Sequence, residues 1–141
     1  MWLGGFYAEI GKYDKAVESY REVLAVYDQG ISWTGRSYHA QTVLRALKIL
    51  EKQKKYAEAI KLINSQNVKE EWLGNIWWRR ALLVKAGDIY AKMDKPEKAV
   101  AAYKKAIAYN RKYLDNPERE NKRLTEKMEK ITQAMKNKDT E

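Results

Sequence analysis

The chain has no cysteine among its 141 residues and a single histidine, His39. Without cysteine the chain forms no disulfide, offers no thiol nucleophile and builds no cysteine-ligated zinc site. His39 has no carboxylate pair on its helix face, so the minimum parts of a metal site or of a histidine-activated nucleophile are missing. These absences predict a protein that is not an enzyme, with no catalytic residue, no cofactor and no metal site.

A long apolar run is also missing. No uninterrupted apolar stretch approaches the roughly 20 residues that cross a bilayer, and the N-terminus lacks the basic region and apolar run of a secretory signal. We therefore expect a soluble chain without a membrane span, cytoplasmic by default. The compartment itself stays unknown, because a targeting segment could precede Met1 in a longer protein.

The residues that are present predict one folded, basic domain. Hydrophobic residues make up 45% of the chain, which also has 10 tyrosines and 5 tryptophans, a composition too apolar for a disordered chain. The formal net charge of +9 is uneven, since residues 36–92 carry 12 basic and 5 acidic groups whereas residues 1–35 carry 3 and 5. The excess favours an acidic partner, whether a protein segment, nucleic acid or anionic lipid headgroups, and a lysine-rich solubilising surface explains it equally well.

One phrase occurs three times along the chain, in related form, at residues 11–20, 54–63 and 94–103. Each copy has a small central residue, and these central alanines are Ala16, Ala59 and Ala99. Helical repeat arrays bury their core between neighbouring repeats and leave one extended surface free. The repeats therefore predict a protein that holds another macromolecule.

Apolar residues at three-and-four spacing predict that the repeats are helical. Glycines and the short polar segment after residue 64 mark the breaks between helices. The predicted helices lie near 2–10, 14–28, 36–53, 56–65, 75–93 and 96–113.

Residues flanking the phrase resemble a known family. Leu3-Gly4 is followed by Tyr7, Ala16 and Tyr20, and Ala86-Gly87 is followed at the same spacing by Tyr90, Ala99, Tyr103 and then Ala106. This pattern resembles the tetratricopeptide repeat over roughly residues 2 to 110. The resemblance implies an all-α, right-handed superhelical array of antiparallel helix hairpins, at about 1–28, 36–66 and 75–113. The middle repeat departs from the family at Leu47, where a small residue is usual, so we expect that helix pair to be widened or tilted.

A further helix is predicted at 116–137, followed by a tail at 138–141. Asn116 is expected to cap it, with Pro117 at its first helical position. Its apolar residues form a narrow stripe on a charged surface, which is typical of the terminal solvating helix of a repeat array. Contact with another copy through this helix is the alternative. At the other end the first helix is short for the family, so either the natural protein continues upstream or this end rests on another chain.

The resemblance implies a partner-binding stripe on the first helix of each hairpin, on the concave surface. We expect an extended or helical peptide with apolar and acidic residues to bind there. Val84 and Asp88 stand where a two-carboxylate clamp would need basic residues, so recognition of a terminal carboxylate is not expected. Trp77 is predicted either to join this surface or to fill the joint between repeats. The partner-binding stripe consists of Gln41, Leu44, Lys48, Glu51, Lys52, Trp77, Ala81, Val84, Asp88 and Lys92.

Taken with the charge, these patterns predict a non-catalytic protein–protein interaction scaffold whose partner is another protein or peptide of acidic character. Two alternatives stay open. Basic residues mixed with aromatic ones could bind nucleic acid. The array could also be a self-associating structural subunit, through the N-terminal hairpin or the C-terminal helix.

Overall fold

A computed structural model describes residues 11–27, 33–65 and 76–139, with side chains described outside 23–27, 33–41 and 76–78. Every regular element in those ranges is an α-helix, which confirms the predicted all-α class. The predicted helix near 2–10 lies outside the described residues. The six helices are α1 (Tyr13–Tyr27), α2 (Trp33–Lys52), α3 (Tyr56–Asn64), α4 (Ile76–Lys92), α5 (Pro96–Tyr113) and α6 (Glu118–Asp139).

The observed bounds differ from the predicted ones mostly by one or two residues. The largest difference is at α2, which begins three residues earlier than expected, at Trp33. The predicted capping of α6 was wrong by one position. The amide of Asn121 donates to the carbonyl of Pro117 at 2.9 Å, so Pro117 itself precedes the helix and Asn116 lies one residue further out.

The helices fall into two compact units, Met1–Asn75 and Ile76–Glu141. In the first unit α2 packs against both α1 and α3. Three- and four-residue spacing places its apolar side chains on shared faces, and the fully buried Leu47 is among them. Among the described side chains of this unit, the buried apolar ones are Ala16, Val17, Tyr20, Val43, Ala46, Leu47, Ile49, Leu50 and Ala59.

In the second unit α5 packs against both α4 and α6. The core cluster is formed by the buried residues Ala99, Tyr103, Ala106, Ile107 and Leu124, with partly buried side chains of all three helices packed on it. Leu124, Met128 and Ile131 of α6 belong to this packing. The apolar stripe of α6 thus rests on the hairpin that α4 and α5 form, while most of its other residues are exposed.

The turns share one backbone conformation at one position of the repeat. Gly11, Lys54 and Asp94 have φ values of 79°, 58° and 58°, and each lies five residues before the central alanine of its repeat. After α2, the Lys54 amide donates to the Glu51 carbonyl (3.0 Å) and the Lys55 amide to the Leu50 carbonyl (2.9 Å). This pair of bonds is the Schellman arrangement, and the turn after α4 has the same pair. The repeat register is thereby visible in the backbone as well as in the sequence.

Gly87 brings α4 into close contact with α5. A Cβ atom on Gly87 would lie 2.5 Å from Cε1 of Tyr103, a ring whose residue is 2% exposed. In the middle repeat the same position is Leu47, and the position of the tyrosine is taken by the smaller Ile63. Helix contacts tolerate such an exchange when the volumes change in opposite directions.

Candidate partner-binding surface

The α2 part of the partner-binding stripe lies on one face of the helix, because positions 44, 48, 51 and 52 follow the helical spacing. Leu44 is half-buried, and Lys48 and Lys52 are exposed. The Lys52 ammonium lies 5.9 Å from the ring centroid of Tyr13, so its charge faces an aromatic ring of α1. Glu51 is half-buried between them. This face therefore offers an apolar side chain followed along the helix by two cations. The side chain of Gln41 lies outside the described residues.

The α4 part of the stripe is engaged inside its own unit. Val84 packs on the core cluster that α5 and α6 share. Asp88 Oδ1 accepts hydrogen bonds from the Tyr103 hydroxyl at 2.5 Å and from the Lys127 ammonium of α6 at 3.0 Å. Ala81 is half-buried and Lys92 is exposed, while the side chain of Trp77 lies outside the described residues.

The Asp88 contacts also alter the acidity of the tyrosine. Burial, followed by the hydrogen bond to Asp88 and its negative charge, raises the pKa of Tyr103 above its ordinary value. Tyr103 therefore stays protonated and donates to the carboxylate throughout the neutral range. Lys127 also lies 5.7 Å from the centroid of the same ring. Asp88 is consequently a structural acceptor that joins all three helices of the second unit.

Two further ion pairs fasten α6 to α4 and to the turn that follows it. The Arg80 guanidinium contacts the Glu120 carboxylate near the start of α6, where both side chains are largely buried. The Lys138 ammonium lies 3.2 Å from the Asp94 carboxylate at the other end. The Asp88–Lys127 pair lies between these two. Partners therefore follow each other in the same order along α4 and α6, so the two helices run in the same direction. Helix α6 thus contacts α4 through ion pairs at Arg80 and Asp88, on either side of Val84.

A groove of about 410 Å³ opens in the first unit between α1, the end of α2 and α3. Opposite charges on its walls contact each other: Lys55 lies 3.0 Å from Asp14, and Arg21 lies 3.5 Å from Glu58. A hydrogen bond from the Gln53 amide and the adjacent Lys55 hold the pKa of Asp14 below its ordinary value. This groove could not be predicted from the sequence, because its walls come from positions about 40 residues apart.

A buried polar pair joins α5 to α6 and was also not predicted. The Asn110 amide donates to the Asn121 side-chain oxygen at 2.9 Å, and these residues are 0% and 8% exposed. The side-chain oxygen of Asn110 has no hydrogen-bond partner among the described residues. Asparagine in a helical pattern usually indicates a solvent-facing position, so composition and spacing could not reveal this contact.

Neither a metal site nor a membrane span is found in the part of the chain that the structure describes. Within it, no three histidine, cysteine or carboxylate side chains are grouped so that they could hold a metal ion. No helix there is both long and apolar enough to cross a membrane.

Comparisons with known proteins agree with the repeat pattern. Two tetratricopeptide repeat models match the chain, one at residues 81–113 and one at residues 3–30. No curated protein matches it. Among solved structures, a chain described as "MamA RS-1 ArsTM double mutant" is similar with a TM-score of 0.48 and 20% identity, over 99% of this chain and 75% of that one.

The matched ranges coincide with the described helices. Helix α1 lies within the first range, and α5 with most of α4 lies within the second. This family is typically non-catalytic, and its repeats support a general role as a protein-interaction scaffold. The chain contains tetratricopeptide repeats, at residues 3–30 and 81–113.

Proposed function

We propose that the chain is a non-catalytic scaffold that holds an acidic segment of a partner protein against the α2 face formed by Leu44, Lys48 and Lys52. The observation that supports this proposal is the contrast between the two parts of the partner-binding stripe. On α2 a half-buried leucine lies one helical turn from the exposed Lys48 and two turns from the exposed Lys52, whereas on α4 the side chains of Val84 and Asp88 already contact α5 and α6.

The chemistry of this face defines the partner. Full burial of an exposed leucine contributes about 1.5–3 kcal/mol. Leu44 is already half-buried, so covering the rest of it by an apolar partner residue would contribute about 1 kcal/mol. Exposed lysines contribute less to affinity and more to the rate and selectivity of encounter with carboxylates. A peptide that places an apolar residue at one end of a pair of acidic ones would satisfy both requirements.

Affinity capture from a native extract tests the proposal with three forms of the protein. These are the wild type, the α2-face variant Lys48→Glu/Lys52→Glu, and the control Lys12→Glu/Lys61→Glu, which makes the same charge change at exposed positions of the same unit. We expect one set of proteins, identified by mass spectrometry, to be retained by the wild type and the control and lost by the α2-face variant. Equal retention by all three forms would show that partners bind elsewhere.

A second variant separates the apolar contribution from the charges. Leu44→Ala removes most of the apolar contact and leaves both lysines in place, so the captured protein should bind about fivefold more weakly, in keeping with a loss of about 1 kcal/mol. Circular dichroism and thermal unfolding of each variant ensure that the fold is retained. Unchanged affinity of a folded Leu44→Ala protein would remove Leu44 from the surface.

A further inference from the structure

Helix α5 has an exposed face that the scaffold function does not use. Helical spacing turns Ala99, Tyr103 and Ile107 into the core and leaves a second set of residues in solvent. This set is called the α5 cationic face. It consists of Lys98, Ala101, Lys104, Lys105, Ala108 and Arg111, all of them exposed.

The charges of this face are not neutralised within the described part of the chain. Lys104, Lys105 and Arg111 form no ion pair there, and Lys98 lies 5.8 Å from the ring centroid of Tyr90 rather than beside a carboxylate. Glu97 is the only acidic residue of α5. Four cations therefore share one side of a helix with a single carboxylate at its first turn.

The repeat framework does not require this charge. When the central alanines of the first and third repeats are aligned, α1 has Glu18, Arg21 and Glu22 where α5 has an alanine and two lysines. Arg21 is moreover paired with Glu58. The equivalent positions of the two helices that carry the central alanine thus have mixed charge in the first repeat and positive charge in the third. The cationic face is therefore a feature of α5 itself.

The side chains between the cations indicate which polyanion fits. Protein interfaces are anchored by buried aromatic, arginine or other large side chains and are depleted in lysine. Helices that lie in a membrane surface carry tryptophan, phenylalanine or leucine on their apolar side. The α5 cationic face has only alanine between its cations, which permits close approach but gives no anchor. Contacts to phosphate require only suitably spaced cations.

The spacing and the absence of exposed rings favour a duplex. The cations occur at three levels, residue 98, residues 104–105 and residue 111, which a rise of 1.5 Å per residue places about 10 Å apart over about 20 Å. Single strands are held largely by base stacking on aromatic side chains, and this face has none. We propose that the α5 cationic face binds the phosphate backbone of double-stranded nucleic acid, independently of base sequence. This site is separate from the α2 face and does not depend on the proposed function.

Fluorescence anisotropy with a labelled mixed-sequence DNA duplex of about 20 base pairs tests the proposal between 50 and 200 mM salt. Four phosphate contacts predict a slope of log affinity against log salt of about −4, which weakens binding by about 100-fold or more over this range. The variant Lys104→Gln/Lys105→Gln/Arg111→Gln should reduce the slope to about −1. The control Lys122→Gln/Lys130→Gln/Lys136→Gln removes three exposed charges from α6 and should leave the slope near its wild-type value.

Four results would overturn the proposal. Equal loss of slope in both variants would mean that binding follows net charge rather than the α5 cationic face. Absence of duplex binding at 50 mM salt would remove the site. Displacement of the duplex by polyglutamate at matched charge, or preferential binding to phosphatidylserine vesicles over the duplex, would assign the face to an acidic protein or to a lipid surface. Retention of duplex binding by Lys48→Glu/Lys52→Glu is expected, and it keeps this test independent of the test of the scaffold function.

Discussion

At Gly87 the contact between α4 and α5 leaves no room for a side chain. Alanine in a helix interior is normally better than glycine by about 1 kcal/mol. Here its Cβ would lie 2.5 Å from Cε1 and 2.7 Å from Cδ1 of Tyr103, and that ring is both buried and bonded to Asp88. Overpacking of this kind costs about 1–3 kcal/mol or more. The steric cost therefore exceeds the gain in helix propensity.

We predict that Gly87→Ala lowers the free energy of unfolding by about 1–2 kcal/mol in urea denaturation, and that the effect changes sign when the ring is absent. In a Tyr103→Leu background the same substitution should stabilise by about 0.5–1 kcal/mol, because it regains helix propensity and fills part of the space. The pair Leu47 and Ile63 of the middle repeat has the same compensating volumes. If Gly87→Ala destabilised both backgrounds equally, the contact with Tyr103 would not be the cause.

At the scale of the element, the helix ends depend on backbone geometry rather than on residue type. Lysine and aspartate rarely adopt the left-handed conformation that Lys54 and Asp94 have, because their Cβ atoms crowd the following carbonyl. Only the first of the three turns has glycine. Because glycine favours such a turn, the sequence indicated a break at Gly11. The other two turns have the same backbone conformation, with lysine or aspartate in place of glycine.

Replacement of Lys54 by glycine should therefore stabilise the protein. The left-handed conformation costs about 1–2 kcal/mol for a residue with a Cβ, and the greater freedom of glycine in the unfolded chain offsets about half of the gain. We expect Lys54→Gly to raise the free energy of unfolding by about 0.5–1 kcal/mol. Lys54→Ala, which keeps the Cβ, is the control and should change little. Gly11→Ala should lower the free energy of unfolding by about 1 kcal/mol, although no atom lies within 4 Å of the added Cβ.

The contact between α5 and α6 includes a buried polar pair, Asn110 and Asn121, whose contribution to stability can be measured separately from that of the apolar contacts. Asn121→Leu would leave the buried Asn110 amide without its partner, at a cost of about 1–3 kcal/mol. The double variant Asn110→Leu/Asn121→Leu removes both polar groups and should be about as stable as the wild type, or more so. Urea denaturation measures both, with Lys122→Leu on the exposed side of α6 as a control within about 0.5 kcal/mol of wild type. Equal destabilisation by the single and double variants would contradict this account.

Helix positions followed from the sequence because long apolar patterns at three-and-four spacing depend on local residues only. Lys48 and Lys52 could be placed on an exposed face by the same reasoning. The contacts of Val84 with the core cluster and of Asp88 with Lys127 could not, since they depend on how α6 packs some 40 residues further along the chain. The same holds for Asn110 and Asn121, whose burial reflects tertiary contact and not helix propensity.

At the scale of the whole molecule, the forces that fold the chain differ from those proposed for binding. Each unit is built on buried apolar side chains, and its exposed ion pairs contribute about 0–1 kcal/mol each. Contacts of exposed cations with phosphates or carboxylates, in contrast, weaken steeply as salt is added. A change of salt concentration within the physiological range should thus alter binding affinity far more than folding stability.

The matched turns at Lys54 and Asp94 also provide a pair of labelling sites for distance measurement. Because the native chain contains no cysteine, Lys54→Cys and Asp94→Cys introduce two unique thiols for fluorophores, one in each unit. Both labels would sit on exposed residues with the same backbone conformation, so their linkers would start from equivalent geometry. Energy transfer between them would then report the separation of the two units directly, and any partner or nucleic acid that alters this separation would be read as a change in transfer efficiency.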